Sequence, residues 1–274
     1  MAEANAMKIE MRDICFRYDG GVEALTDISL SLRPGECVAL VGHNGSGKST
    51  LVKHLNGLLR PTRGAVLING DPTSDKRVAQ LAGSVALLFQ NPDNQICKGS
   101  VVEEVAFGPR NLKYPEKKVR ELTAAAIAAM DLSGMEDRNP HDLGLSERKR
   151  LAIASVMAMD TGAVVLDEPT AGLDPRELGL LEAMLRTLRD RGKIVLAISH
   201  DMDFVAENMT RAVCLGQGRK QYDGSVSGLF ENHTLLDQCG LIPPQAVQVG
   251  FRLGLAADAL TPEGLVAALA KARR

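Results

Sequence analysis

The chain has 274 residues, 45% of them hydrophobic but only 3% aromatic, with no Trp and a formal net charge of −2. It is long enough for one large α/β domain with an aliphatic core, and too evenly charged for a nucleic-acid partner, which calls for a basic excess. No apolar run reaches the ~18–20 residues that cross a bilayer. The five cysteines (Cys15, Cys37, Cys97, Cys214, Cys239) never fall at C-x-x-C spacing, which speaks against a zinc or redox motif and for a reducing compartment.

Met1 to Met7 lacks the apolar core of a signal peptide, so the expected location is cytosolic. Lys8 to Arg33 alternates apolar and polar residues around turn signals at Asp19-Gly20-Gly21 and Arg33-Pro34-Gly35, the pattern of antiparallel strands. Cys37 to Val41 reads as a short buried strand, and Ser49 to Leu59 as a helix. A turn at Pro61 to Gly64 precedes strands over Ala65–Asn69 and Val85–Phe89, the latter ending at Gln90. From Asn91 to about Asp160 the texture turns helical. Pro115–Met130 is Ala-rich, and Glu147–Met159 presents Leu151, Ala154, Ser155 and Ala158 on one face. Strands return at Ala163–Leu166, Ile194–Ile198 and Ala212–Leu215, with a helix over Pro175–Arg191 between them. Strands alternating with helices imply a parallel sheet. From about Leu241 two short helices are expected, one with the stripe Val247, Phe251 and Leu255, the other with Leu265 and Leu269 behind a Thr261-Pro262 cap.

Chemistry concentrates at two places. Gly42-His43-Asn44-Gly45-Ser46-Gly47-Lys48-Ser49-Thr50 fits G-x-x-x-x-G-K-[ST], the P-loop, in its required strand–loop–helix context. Glycines let successive N–H groups turn inward on a polyphosphate. Lys48 is expected to bridge the outer phosphates and Ser49 to ligate Mg²⁺. Val164-Val165-Leu166-Asp167-Glu168 is an apolar strand ending in two acids. Asp167 is expected to hold Mg²⁺ and Glu168 to polarise the water that attacks the γ-phosphate.

With these motifs in this order, residues 8 to about 230 resemble the ATP-binding subunit of an ABC transporter. The resemblance implies an α/β fold: a P-loop NTPase core of ABC type with an antiparallel β subdomain, an inserted helical subdomain at about 91–160 and a small C-terminal helical extension. The ABC domain would cover 8–235 and the extension 236–274. It further implies that Tyr18 stacks on adenine, that Gln90 senses Mg²⁺ and the γ-phosphate, that Ala171-Gly172-Leu173-Asp174 is the D-loop with Asp174 at the nucleotide, and that His200 contacts the γ-phosphate. Two copies, or a copy and a paired ATPase, would close head to tail around ATP. The signature loop departs from the family's Leu-Ser-Gly-Gly-Gln: this chain has Leu143-Gly144-Leu145-Ser146-Glu147. Gly144 lacks the hydroxyl, Leu145 is bulky, and Ser146 is left to supply a displaced hydroxyl and to cap the next helix. The site is therefore either weakened or rearranged.

The segments Gln90–Gln95 and Val101–Leu112 resemble the energy-coupling-factor branch, and Phe107-Gly108-Pro109-Arg110-Asn111-Leu112 its cobalt and nickel importers of CbiO type. This implies a transmembrane coupling protein and a substrate-binding membrane subunit as partners, residues 92–112 lining the docking groove, no nucleic acid, and a peripheral position on the cytoplasmic face of the membrane. Cobalt is the first expected cargo, with nickel or a vitamin as alternatives. A regulatory nucleotide-binding module with little turnover is the rival of another class.

Overall fold

The structure is a computed structural model that describes residues 7–255 and 260–272. The expectation on Met1 to Met7 lies almost entirely outside these residues. The strands are β1 (Ile9–Arg17), β2 (Glu23–Leu32), β3 (Cys37–Val41), β4 (Arg63–Ile68), β5 (Asp71–Pro72), β6 (Val85–Leu88), β7 (Ala163–Asp167), β8 (Ile194–Ile198), β9 (Arg211–Gly216) and β10 (Arg219–Ser225). The helices are α1 (Lys48–Lys53), α2 (Val78–Leu81), α3 (Val101–Asn111), α4 (Glu116–Ala129), α5 (Leu145–Ala158), α6 (Pro175–Asp190), α7 (Met202–Asn208), α8 (Val226–Glu231), α9 (His233–Cys239), α10 (Gln245–Arg252) and α11 (Pro262–Ala272).

Two sheets form, as expected. The antiparallel one runs β2-β1-β4-β5, and the larger runs β10-β9-β3-β8-β7-β6. In the larger sheet the pairs β9·β3, β3·β8, β8·β7 and β7·β6 are parallel, and β10 returns antiparallel to β9. All five residues of β3 are buried, because this sheet is covered on both faces. Val38 and Leu40 point to a core shared with the antiparallel sheet and α1. Ala39 and Val41 point to a second core under the helices. That split is the two-residue period of a strand.

Two helix boundaries and one strand differ from expectation for local reasons. Helix α1 stops at Lys53 rather than Leu59, because His54 and Leu55 bond to carbonyls three residues back and Gly57 turns left-handed at φ 74°. Helix α5 starts at Leu145 rather than Glu147. Strand β10 was not expected; it is polar and half-exposed, and so lacks a strand's apolar alternation. Its signal lay in the turn: Gln217 and Gly218, both at positive φ (50° and 73°), make a two-residue hairpin loop.

The helical block is built as α3, α4 and α5 in mutual contact. At the other end, Leu235, Leu236, Cys239, Leu241 and Val247 belong to the same hydrophobic core as Cys214 and Phe204. The packing is thus continuous across the 235/236 boundary.

Candidate functional site

Parallel register gathers the site. Asp167 on β7 lies opposite Ile198 on β8, and Leu88 on β6 opposite Leu166 on β7. Gln90, Asp167–Glu168 and His200 therefore leave the sheet at the same edge as the loop after β3. In open parallel sheets that carboxyl-end edge is where ligands bind. A cleft of about 560 Å³ opens there, lined by Tyr18, Asn44, Gly45, Gly47, Lys48, Ser49, Thr50, Gln90, Asp167, Glu168 and His200. Val22, Glu23, Ala24 and Ile198, which carry no motif signal, also line it.

The loop after β3 is held from below. Gly42 has φ 138°, and a Cβ there would sit 2.1 Å from the Leu215 carbonyl oxygen, so only glycine fits. Ser46 N–H donates to the His43 carbonyl at 3.2 Å, and Gly218 N–H to the Ser46 carbonyl at 3.2 Å. Lys48 bends back over the loop, its Nζ donating to the carbonyls of Gly42 at 2.7 Å and His43 at 3.0 Å. These bonds hold the ammonium of a largely buried lysine at the rim of the cleft. Burial lowers the Lys48 pKa, while the charges of Glu168 and Asp167 act against that.

Both acids are pushed up by burial. For Asp167 the Ser49 hydroxyl and the Lys149 and Lys48 ammonium groups oppose the rise; for Glu168 the His200 backbone opposes it and Asp167 adds to it. Glu168 occupies the left-handed region at φ 48°, its N–H donating to the Ile198 carbonyl at 3.0 Å. Such a conformation in a non-glycine residue is a strained state typical of functional positions. Its Oε2 accepts from the His200 N–H at 3.3 Å. Its Oε1 lies 3.4 Å from His200 Nε2 and is otherwise a buried oxygen with no hydrogen-bond partner. Burial, and then Lys48, lowers the His200 pKa, which leaves the imidazole mostly neutral at pH 7. Both residues line the cleft, and a carboxylate beside a neutral imidazole can hold and pass a proton.

Tyr18, just after β1, stands 42% exposed at the mouth, edge-on to Phe16 and with its hydroxyl 2.9 Å from Thr50 Oγ1. The exposed Val22 sits beside it on the rim. An aromatic and an aliphatic face at the rim suit a flat ring.

Six expected residues lie outside the cleft lining: Gly42, His43 and Ser46 within the loop after β3, and Gly144, Ser146 and Asp174 further off. Asp174 is the N-cap of α6, its carboxylate accepting from Glu177 N–H at 2.8 Å. Gly144 is the N-cap of α5, its N–H donating to Glu147 Oε2 at 2.7 Å. Ser146 falls inside the first turn of α5, so the expectation that it caps this helix is corrected. Glu147 reaching back to the Gly144 N–H starts the helix two residues early. Leu145 is 59% exposed and lies near Gly172 of the 171–174 loop.

The oxygens that Ser49, Asp167 and Gln90 bring to the cleft are hard donors and fit Mg²⁺. Among the described residues no group of three or more His, Cys, Asp or Glu side chains could hold a metal unaided. Mg²⁺ usually binds through one or two carboxylates together with substrate phosphates, so the donor set and the ion are compatible.

Comparison with known proteins meets this geometry. Residues 25–171 match the family described as ABC transporter. The energy-coupling factor transporter ATP-binding protein EcfA of Methanothermobacter thermautotrophicus is 38% identical over 250 residues, covering 90% of this chain and 80% of that protein. The structure of cbiO1 from Clostridium perfringens, part of the ABC transporter complex cbiONQ, superposes with a TM-score of 0.73 at 30% identity over 90% of this chain and 98% of that one. The dimeric ATP-binding cassette MJ0796, in a post-hydrolysis state bound to ADP and Pi, gives a TM-score of 0.73 at 25% identity over 80% of this chain and 98% of that one. The chain also spans only 40% of the length of a 40% identical relative from Methanosarcina acetivorans. A P-loop at the edge of a two-sided parallel sheet, an inserted helical block and a relative matched over four fifths of its own length lead to one conclusion: this chain belongs to the ABC transporter family and carries its ATPase domain.

Proposed function

We propose that this chain is the ATP-hydrolysing subunit of an energy-coupling-factor importer of transition-metal ions, cobalt foremost, with nickel or a vitamin as the alternative cargo. The observation that carries the ATPase reading is the convergence of Lys48, Ser49, Gln90, Asp167, Glu168 and His200 on one cleft. The cargo and partners rest on likeness to EcfA and to cbiO1 and on the sequence of residues 90–112.

In this reading Tyr18 takes the base, and the backbone from Gly42 to Gly47 with Lys48 and Thr50 takes the phosphates. Ser49, Asp167 and Gln90 would hold Mg²⁺, which when bound would supply charge neutralisation on the transferring phosphoryl group. Glu168 orients a water through its carboxylate, and its upward-shifted pKa brings its basicity closer to neutral pH. His200, held neutral, donates or accepts at the γ-phosphate. Gly144, Ser146 and Asp174 face a second cassette, so a dimer completes the site. Among the described residues no helix is long and apolar enough to cross a membrane. A peripheral place on the cytoplasmic face, beside a transmembrane coupling protein and a substrate-binding membrane subunit, suits an ATPase that works through partners.

The test is turnover by the purified chain, wild type against Glu168→Gln. The variant should keep ATP binding and lose about 10²-fold or more in turnover. Wild-type-like hydrolysis by the variant, or none by the wild type with its co-purified partners, overturns the reading. Metal uptake by cells carrying the two forms tests the cargo.

A further inference from the structure

Lys149 is 2% exposed, one of the largest fully buried side chains in the molecule, and it belongs to none of the motifs that carry the ATPase reading. It sits in the first half of α5, and its Nζ donates to the backbone carbonyl of Gln90 at 3.0 Å. Burial drives its pKa down to about 8, and the attraction of Asp167 and Glu168 works against that fall. Its ammonium thus stands between the signature-loop helix, the loop after β6 and the two acids at the end of β7.

A buried charge with few partners is rarely kept for stability, since a well-packed apolar side chain of the same volume does as well or better. What Lys149 supplies is position. Gln90 is an exposed loop residue whose side chain lines the cleft. The bond to its carbonyl fixes the orientation of its peptide, and with it the direction of the side chain. Two further contacts tie the same loop to the same helix. Arg148 Nε meets Asp93 Oδ1 at 3.1 Å, and Gln95 Nε2 donates to the Ala152 carbonyl at 3.0 Å. Arg148 is partly exposed and Asp93 half-exposed, so that ion pair is a weak tether. The Gln95 bond lies five residues further on. Among the described residues only the Lys149 bond acts on Gln90 itself.

We propose that Lys149 is a positioning residue that holds Gln90 in register with Asp167 and Glu168, so that any movement of α5 and its signature loop is carried directly to the glutamine. The proposal rests on the ATPase reading of the cleft.

The experiment uses the full chain carrying Lys149→Met, which keeps the volume and removes the donor. Three quantities are read against wild type: thermal stability, steady-state ATP kinetics, and hydrogen exchange of the amides from 89 to 95 without nucleotide. The expected result is an unchanged or higher melting temperature, faster exchange across 89–95, and a kcat at least about tenfold lower with KM within about threefold. Combined with Gln90→Ala, the loss should not exceed that of the larger single change, because both act through one group. A variant that unfolds, that exchanges like wild type across 89–95, or whose loss multiplies with that of Gln90→Ala overturns the proposal. If wild type itself hydrolyses no ATP, the ATPase reading falls, and the exchange measurement still decides whether Lys149 orders the loop.

Discussion

At Gly42 a methyl group would meet the Leu215 carbonyl at 2.1 Å, a backbone atom that cannot swing aside. Gly45, two residues short of Gly47 in the same loop, also has positive φ, at 80°, but a Cβ there meets nothing within 4 Å. The two sites separate backbone strain from collision. Gly45→Ala should cost only the left-handed penalty, about 1–2 kcal/mol. Gly42→Ala adds overpacking of about 1–3 kcal/mol, and it displaces the carbonyl to which Lys48 is bonded. Urea unfolding of both variants checks the order, and ATP affinity should fall for Gly42→Ala well beyond Gly45→Ala. Equal stability losses would mean the loop moves freely away from β9.

At the scale of elements, α5 joins everything around the cleft. Its residues from Lys149 to Ser155 are all buried. Arg150 reaches out of it to Glu177 at 3.0 Å and to the carbonyls of Met130 and Asp131, both at 2.7 Å. Glu177 in turn accepts from the Asp174 N–H at 3.0 Å, so the signature helix and the 171–174 loop share one polar network. The altered signature loop sits at the free end of this helix. A Cβ on Gly144 would meet only Glu147 Oε2 at 3.5 Å, and its φ of −62° is ordinary, so a serine fits there. Restoring Gly144→Ser, Leu145→Gly and Ser146→Gly together should raise turnover about tenfold to a hundredfold with the partner subunits present, the worth of one hydrogen bond to a charged group. Ser146→Ala should then leave α5 intact, since Ser146 lies within the first turn and does not cap, and should lower turnover by less than the triple change raises it. A crippled Ser146→Ala with no gain from the triple change would mean that the loop already binds phosphate in a shifted form.

Across the whole molecule, Asp160 links the helical block to the sheet. Partial burial raises its pKa, but the Lys193 ammonium at 3.1 Å and Lys118 at 3.4 Å outweigh that and hold it below the ordinary value. A carboxyl depressed in the folded state contributes stability above its unfolded pKa and loses it as pH falls through the folded one. Asp160→Asn should therefore cost about 1 kcal/mol at pH 7, the scale of partly exposed pairs. The gap to wild type should close as pH falls from about 4 through the lowered folded value. A gap that persists at pH 2 would show that packing, not charge, carries the effect. The C-terminal helices divide in two. Leu241 and Val247 are buried in the main core, so truncation after Gly240 should lower stability by about 4 kcal/mol, roughly 10 °C in melting temperature. Truncation after Leu255 removes α11, whose Val266 is 66% exposed, together with Leu260, a partly buried side chain packed against the main core. It should lower the melting temperature much less and weaken self-association, as light scattering would report. Unchanged association would remove α11 from the subunit contact.

The amino-acid sequence by itself determined the phosphate loop, the acid pair after an apolar strand and the succession of strands and helices. Each of these is a local signal: a spacing of glycines and a lysine, a run of β-branched residues, a period of two or of about four. Only the tertiary structure decided which strand ends meet. Gln90, Glu168 and His200 are far apart in the chain and become neighbours because β6, β7 and β8 lie side by side in parallel register. It also decided that Ser146 lies within a helix, that the polar β10 completes the sheet, and that α9 and α10 join the main core. The charged pair Lys149 and Arg150, which lies outside the face expected from Leu151, Ala154, Ser155 and Ala158, is buried at 2% and 7% exposure. A charge is stable in an interior only if carbonyls and acids from other elements surround it, and those partners, Gln90, Met130, Asp131 and Glu177, come from loops and helices that no local pattern connects.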